Sequence, residues 1–325
     1  MPTYLFLSSG NVLADRRYDF ARELLARGEA EAAADLLAQA VELAPNFTSA
    51  WFALGEIRQD RLGDRNGAID AFRRARAADP RDRHGAGLRL MRLGAADLDD
   101  AMSPAYVGTL FDQYAPRFDK SLVEDLGYRG PALLLDAVRE VCSATGRVMV
   151  FRRAIDLGCG TGLVGRAFAP IVSEIIGFDL SPQMIERARA NRVYARLAVT
   201  DLVQGLANEP PASAELILAA DVLIYIQDVA PLLREATRVL QPGGLLAVTA
   251  ETHAGDGVVL TAGLRFAQAE SYLREELQQA GLAVALLQHA SARNEHQAPL
   301  PGLVVVAFKP DDEVRRIEPE TPCDT

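Results

Sequence analysis

Two kinds of hydrophobic pattern divide the chain. Between residues 17 and 94, apolar positions recur at helical spacing among Ala, Leu, Arg and Glu, and no strand-like run interrupts them. After Pro131 a helical pattern continues to about Cys142, and short apolar runs then alternate with helical ones. The pattern therefore predicts an all-helical N-terminal part followed by an α/β part.

In the second part, strands are predicted over residues 153–157, 174–178, 195–199, 214–220 and 245–250, and helices over residues 164–169, 182–191, 229–239 and 269–280. Alternation of this kind predicts a parallel sheet with helices on both faces and with ligands at the carboxyl ends of the strands. Two further apolar runs, residues 282–288 and 302–308, are joined by a short polar loop. We expect these two runs to pair antiparallel.

The helical part contains an internal repeat. Ala33, Leu37, Ala40 and Pro45 recur 35 residues later as Ala68, Phe72, Ala75 and Pro80. With Trp51, Leu54 and Gly55, this pattern resembles the tetratricopeptide repeat, although Arg58 stands where that repeat usually has an aromatic residue. The resemblance implies stacked helix pairs, with residues 85–94 as a single capping helix. Two roles stay open for this part, namely recruitment of a partner or substrate, and a structural or dimer-forming module.

The predicted domain organisation follows from these patterns. Residues 1–97 form the helical repeat domain, residues 98–130 a linker and lid segment, residues 131–310 the α/β domain, and residues 311–325 a disordered tail rich in acid and proline.

Charge and cysteine content narrow the classes of function. The 325 residues carry a net charge of −10 without a Lys/Arg cluster, which argues against nucleic acid as a partner. We expect no secretory signal and no membrane association, since no apolar run approaches the length of a membrane span. Cys142, Cys159 and Cys323 lack metal-ligand spacing, which is typical of a reducing cytoplasm.

The most informative stretch is residues 154–162, an apolar run that ends in Asp156 and opens into Gly158, Gly160 and Gly162. Glycines let a backbone approach a ligand closely. Starting at Gly160, the residues fit the GxGxxG dinucleotide fingerprint, with Asp179 placed as the ribose acid. Starting at Asp156, they give DxGxGxG, which resembles motif I of the class I S-adenosylmethionine (SAM)-dependent methyltransferases. The loop alone fits both cofactors.

Later motifs favour SAM over a nicotinamide cofactor, because acids and turns recur at successive strand ends. The methyltransferase resemblance implies a Rossmann-like fold with a seven-stranded mixed sheet and a terminal antiparallel hairpin. It implies that Asp156 orders the loop, that Asp179 binds the ribose and that Asp201 accepts the adenine amino group. The residues at Pro242-Gly243-Gly244 match the turn that precedes the fifth strand of that family. The cofactor-binding residues that the resemblance implies are Asp156, Gly158, Gly160, Gly162, Asp179, Leu180, Met184, Asp201, Leu202 and Asp221, with Tyr114 and Phe118.

Tyr114 and Phe118 belong to a second resemblance. Residues 106–129 are similar to the FDxYAxxFDxxLV…LxYR segment of predicted methyltransferases that carry tetratricopeptide repeats. In related enzymes a Tyr-rich helix before motif I covers SAM, which implies that this segment is a lid. The alternative is an ordinary amphipathic helix whose aromatic residues face the core.

Methyl transfer depends mainly on positioning, although an oxygen or nitrogen acceptor also loses a proton. Candidate bases at strand ends are Asp221, Tyr225, Glu251 and His253, of which His253 and Tyr225 are our catalytic candidates. A solvated loop histidine is the simpler interpretation of His253. The substrate-side candidates are Tyr225, Arg265, Phe266 and Arg293, with Glu295 at the rim. In the related family segment a histidine is usual where Gln268 stands, which puts base catalysis in doubt.

Three functions fit these motifs. The first is a cytoplasmic, SAM-dependent methyltransferase that acts on an oxygen or nitrogen atom of a small molecule, releases S-adenosylhomocysteine and uses no metal. The second is a protein methyltransferase whose repeat domain recruits its target. The third is a SAM-binding scaffold without catalysis.

Overall fold

The structure is a computed structural model that describes residues 5–96, 102–119, 127–295 and 298–311. The chain folds into two compact units, Met1–Tyr114 and Ala115–Thr325. The predicted domain boundary at residue 97 and nearly all of the predicted tail, residues 312–325, lie outside the described residues, so the predicted bounds stay predictions.

Every secondary-structure element described in the first unit is a helix. Its helices are α1 (Val12–Ala26), α2 (Ala30–Leu43), α3 (Thr48–Asp60), α4 (Arg65–Ala78), α5 (Ala86–Arg92) and α6 (Pro104–Tyr114). The repeated positions Ala33, Leu37, Ala68 and Phe72 are buried between these helices. Helices α3 and α4 approach so closely that a Cβ on Gly55 would lie 2.6 Å from the Phe72 ring, which explains the glycine.

The second unit is an α/β sandwich. Its strands are β1 (Phe151–Leu157), β2 (Val172–Asp179), β3 (Arg196–Val199), β4 (Ala214–Ala219), β5 (Leu240–His253), β6 (Val258–Leu260), β7 (Phe266–Ala269), β8 (Ala283–His289), β9 (Asn294–Glu295), β10 (Ala298–Pro299) and β11 (Gly302–Phe308). Its helices are α7 (Gly130–Ala144), α8 (Leu163–Phe168), α9 (Pro182–Ala190), α10 (Leu202–Ala207), α11 (Ala230–Val239) and α12 (Glu270–Gln279).

The main sheet has the order β3-β2-β1-β4-β5-β11-β8. The first five of these strands are parallel, and β11 lies antiparallel between β5 and β8. This mixed sheet with its terminal hairpin confirms the predicted architecture. Strand β4 shows why the sheet is covered on both faces, because Leu216 and Leu218 pack with α7 and α8 whereas Ile217 and Ala219 pack with α10, α11 and α12.

Several features differ from the sequence prediction. Pro242-Gly243-Gly244 does not precede β5 but forms a bulge within it, where Ala214 pairs with Leu240 and Leu216 pairs with Leu245. Gly243 has a φ of 72° there, and its N–H and the carbonyl of Gly244 both bond to Lys309, so the bulge stays paired. The small strands β6 and β7 beside the end of β5, and two 3-10 turns at Ala115–Arg117 and Leu223–Tyr225, were not predicted.

None of the helices in the described parts of the chain has the length and the apolar character that crossing a membrane requires.

Candidate active site

The glycine loop follows β1 and turns on three residues in the left-handed region. The φ angles of Gly158, Gly160 and Gly162 are 62°, 53° and 89°. The Cys159 N–H donates to the carbonyl of Phe178 over 2.9 Å, so the loop is fastened to the end of β2. The loop is thus a rigid backbone feature at the carboxyl edge of the sheet.

The three glycines serve different purposes. A Cβ on Gly158 would lie 2.5 Å from Val222 Cγ2, and a Cβ on Gly162 would lie 2.5 Å from Asn191 Nδ2. A Cβ on Gly160 would meet only Phe118 Cε1, at 3.8 Å, and the carbonyl of Gly158, at 4.0 Å. Two glycines therefore allow close packing within the protein, and Gly160 is the one with space beside its backbone.

Asp179, at the end of β2, is held by backbone amides. Its Oδ2 accepts the N–H of Gly160 over 2.8 Å, and its Oδ1 accepts the N–H of Ser181 over 2.8 Å. Ser181 in turn caps α9 by accepting the N–H of Met184. The carboxylate is therefore fixed against the glycine loop, at the position predicted for a ribose acid.

Asp156 is completely buried at 0% exposure, behind the loop. Its Oδ2 accepts the hydroxyl of Tyr194 over 2.6 Å, whereas its Oδ1 has no hydrogen-bond partner among the described residues. Burial raises the pKa of Asp156 to about 7, and the hydrogen bond from Tyr194 opposes that rise. Sequence reasoning missed Tyr194, because an aromatic residue just before a strand carries no signal of such a contact.

The residues predicted to contact adenine differ in burial and in their hydrogen bonds. Asp201 is the N-cap of α10, and its Oδ1 accepts the N–H groups of Val203 and Gln204. Leu180 is half-buried and Leu202 is buried. Met184 is 0% exposed. Its predicted contact with adenine stays a prediction.

Part of the predicted lid lies against the glycine loop. The Phe118 ring faces the space beside Gly160, and the hydroxyl of Thr161 donates to Asp119 Oδ1. Tyr114 is the last residue of α6 and belongs to the first unit. Residues 120–126 of the lid segment lie outside the described residues.

At the ends of β4 and β5, side chains from distant parts of the chain form an ion-pair network. Arg293 bonds to Asp221 Oδ2 and to Glu251 Oε1. Arg265 bonds to Glu251 Oε1 over 2.7 Å and to both oxygens of Glu295, over 3.0 and 3.1 Å. We call these five residues the rim network. The predicted residues Asp221, Arg265 and Arg293 are thereby brought together.

The remaining candidates are less favourably placed. His253 Nδ1 accepts the N–H of Gly255 over 3.0 Å, and its Nε2 lies 3.3 Å from the carbonyl of Gly257. Both ring nitrogens thus bond within the histidine's own loop. Phe266 is 1% exposed, and Gln268 is fully buried and donates to the carbonyls of Leu223 and Ile226. Gln268 therefore fastens the 3-10 turn that carries Tyr225, and this was not predicted.

The residues present fit SAM. Gly160 offers an open backbone, Asp179 offers a fixed carboxylate beside it, and Phe118 offers an apolar ring near the same backbone. No group of three metal-ligating side chains is found in the described ranges.

Residues 155–248 match the sequence family described as "Methyltransferase domain". The chain is 30% identical over 173 residues to methyltransferase-like protein 27 of Homo sapiens. This match covers 53% of this chain and 66% of that protein. It is 29% identical over 123 residues to the ubiquinone biosynthesis O-methyltransferase of Xanthomonas campestris pv. campestris (strain B100). This match covers 37% of this chain and 52% of that protein. The chain thus spans between half and two thirds of the length of these relatives.

Among solved structures, the chain is similar to one chain of the complex between the Haloferax volcanii Trm112 methyltransferase activator and a putative methyltransferase. The two chains are 19% identical, the match covers 62% of this chain and 98% of that chain, and the TM-score is 0.48. The sequence match assigns residues 155–248 to a methyltransferase domain, and the geometry of the glycine loop fits SAM.

Proposed function

We propose that this protein is a SAM-dependent methyltransferase that transfers a methyl group to an oxygen or nitrogen atom of a small molecule. The observation that carries the proposal is the bond from the Gly160 N–H to Asp179, beside a backbone that has open space. An enzyme that binds a nucleoside needs a fixed acceptor for ribose hydroxyls next to a close-approach loop, and this pair supplies both.

The roles of the chain's residues follow from their places. Asp179 and the glycine loop hold the cofactor, which supplies an activated methyl group on a sulfonium. Phe118 excludes water from the loop side, which favours a reaction that disperses charge. The rim network lies where an acceptor would approach, since Val222, next to Asp221, packs against Gly158.

A binding experiment tests the cofactor assignment. Asp179→Ala should weaken SAM binding in calorimetry at least tenfold, because the ribose loses its acceptor. Asp136→Ala is the matched control, since Asp136 is an exposed acid on α7. Unchanged SAM affinity in Asp179→Ala, with a circular dichroism spectrum like that of the wild type, would contradict the assignment. Release of S-adenosylhomocysteine with pools of phenols and amines then tests for transfer.

A protein methyltransferase is the second candidate, and a groove of about 530 Å³ in the first unit favours it. The groove combines Arg73 and Arg76 with the apolar side chains of Pro80 and Leu90. Such a groove suits an acidic segment of a protein target. Charge reversal of Arg73 and Arg76 in the full chain should abolish methylation of a protein target while leaving transfer to a small molecule unchanged. The tetratricopeptide nature of the unit and a cytoplasmic location remain part of this proposal.

A non-catalytic SAM-binding scaffold is the remaining alternative. It predicts SAM binding without any release of S-adenosylhomocysteine, which the same screen measures.

A further inference from the structure

Asp221 has an unusual backbone. Its φ is 56°, in the left-handed region that residues with a Cβ rarely adopt. The conformation is held by the hydroxyl of Thr249, which accepts the N–H of Asp221 over 2.8 Å and lies 3.3 Å from its Oδ1. Strained backbone of this kind, over-determined by its neighbours, is typical of functional sites.

This residue lies next to the cofactor loop. Val222 follows it directly, and Val222 Cγ2 occupies the space that a Cβ on Gly158 would need. Asp221 is therefore one residue away from a side chain that touches the glycine loop. The carboxylate of Asp221 bonds to Arg293 and Thr249, and its assignment to the cofactor stays a prediction.

The charged groups around Asp221 come from distant parts of the chain. Arg293 in the β8–β11 loop bonds to its Oδ2, and the side chains of Arg293, Asp221 and Glu251 are only 10%, 15% and 11% exposed. Glu251 on β5 shares Arg293, and Arg265 lies beyond it. Tyr128, before α7, interacts electrostatically with Asp221 and Arg293, and Tyr225, in the 3-10 turn, interacts with Arg293.

The groups around Asp221 have opposite effects on its pKa. Burial raises the pKa of Asp221 above its ordinary value, Glu251 adds to that rise, and Arg293 opposes it. Without Arg293 the carboxyl would be a buried acid that prefers its proton. With Arg293 it is a carboxylate that has a stronger than usual affinity for a proton, which is the property that a general base needs.

We propose that Asp221 is the proton acceptor of the transfer reaction and that Arg293 is its positioning residue. The acceptor is then a hydroxyl or amino group that reaches Asp221. The rim network also disfavours carboxylate or phosphate acceptors, because both of its guanidinium groups are already shared by three carboxylates. This inference rests on the proposed methyltransferase function.

The step balances without a further reactant. A lone pair of the acceptor oxygen or nitrogen forms a bond to the methyl carbon, and the methyl–sulfur bond breaks with its electron pair left on sulfur. The proton of the acceptor passes to the Asp221 carboxylate, which later loses it to solvent. No oxidant, reductant or metal takes part.

The first test needs no turnover. In full-length protein labelled with 13C at the aspartate carboxyls, the Asp221 signal is assigned as the one missing from Asp221→Asn, and its pKa is read from a pH titration. Arg293→Met should raise that pKa by at least one pH unit, and Arg293→Lys should restore part of the shift. Arg238→Met is the matched control, because Arg238 also bonds to an acid and to two carbonyls but lies on α11. A pKa that does not move in Arg293→Met would overturn the positioning role.

The second test uses simple phenols and primary amines as acceptors. Asp221→Asn should lower kcat at least 100-fold while calorimetric SAM affinity stays within threefold. The acid limb of the kcat/KM profile should move to higher pH in Arg293→Met by the same amount as the NMR pKa, which a purely structural role would not cause. Wild-type kcat in Asp221→Asn overturns the inference and leaves the proposed function standing, whereas absence of SAM binding to the wild type overturns both.

Discussion

The cofactor side and the acceptor side of the site are built in contrasting ways. On the cofactor side, backbone groups do most of the positioning, since Asp179 is held by the N–H groups of Gly160 and Ser181. On the acceptor side, ion pairs between side chains do the positioning, and Asp221 bonds to an arginine 72 residues away in sequence. The first arrangement suits a ligand that is always the same, and the second can be altered one side chain at a time.

The largest effect on this difference is expected when one methyl group is added to the glycine loop. Gly158→Ala should destabilise the fold by about 3 kcal/mol, because the residue has a positive φ and its new Cβ would clash with Val222. Gly160→Ala meets no such clash, and should cost only about 1–2 kcal/mol from backbone strain. Urea unfolding measures both values. Equal losses in the two variants would mean that close packing on the acceptor side does not shape the loop.

The buried acid behind the loop gives the next largest effect. Because the pKa of Asp156 rises from 3.8 to about 7 on folding, its charged form is disfavoured in the native state, and stability falls as the pH rises between these two values and then levels off. Between pH 5 and pH 8 the wild type should therefore lose about 2–3 kcal/mol more than Asp156→Asn.

Urea unfolding at the two pH values checks this, with Asp136→Asn as the exposed control. If Asp156→Asn and the wild type have parallel pH dependences, the carboxyl behind the loop is not titrating as its burial requires.

The smallest effect is expected at His253, which belongs to neither side of the site. Since its ring nitrogens lie 3.0 Å from the Gly255 N–H and 3.3 Å from the Gly257 carbonyl, His253→Ala should change kcat by no more than about twofold, far below the loss of a general base. Steady-state rates across pH measure it. A hundredfold loss together with a missing limb in the pH profile would restore His253 as the base and remove Asp221.

What could be predicted from sequence follows the same division. Alternating apolar runs predicted the sheet, and strand-end acids next to glycines predicted that Asp179 lies at the glycine loop. Both signals are local in the sequence. Glu251 bonding to both Arg265 and Arg293 could not be predicted, since nothing local in the sequence states which arginine reaches which acid. Tyr194 was missed for the same reason, as its hydroxyl bonds to an acid 38 residues away.

The burial of β11 between β5 and β8 has a practical consequence. It anchors both ends of the loop that carries Arg293, and the Ala290 N–H donates to the Gly302 carbonyl at its base. The parallel strands that carry the glycine loop contribute nothing to that anchor. Grafting a different segment between Ala290 and Gly302 is therefore the most economical way to alter the proposed acceptor side while the glycine loop is kept as it is.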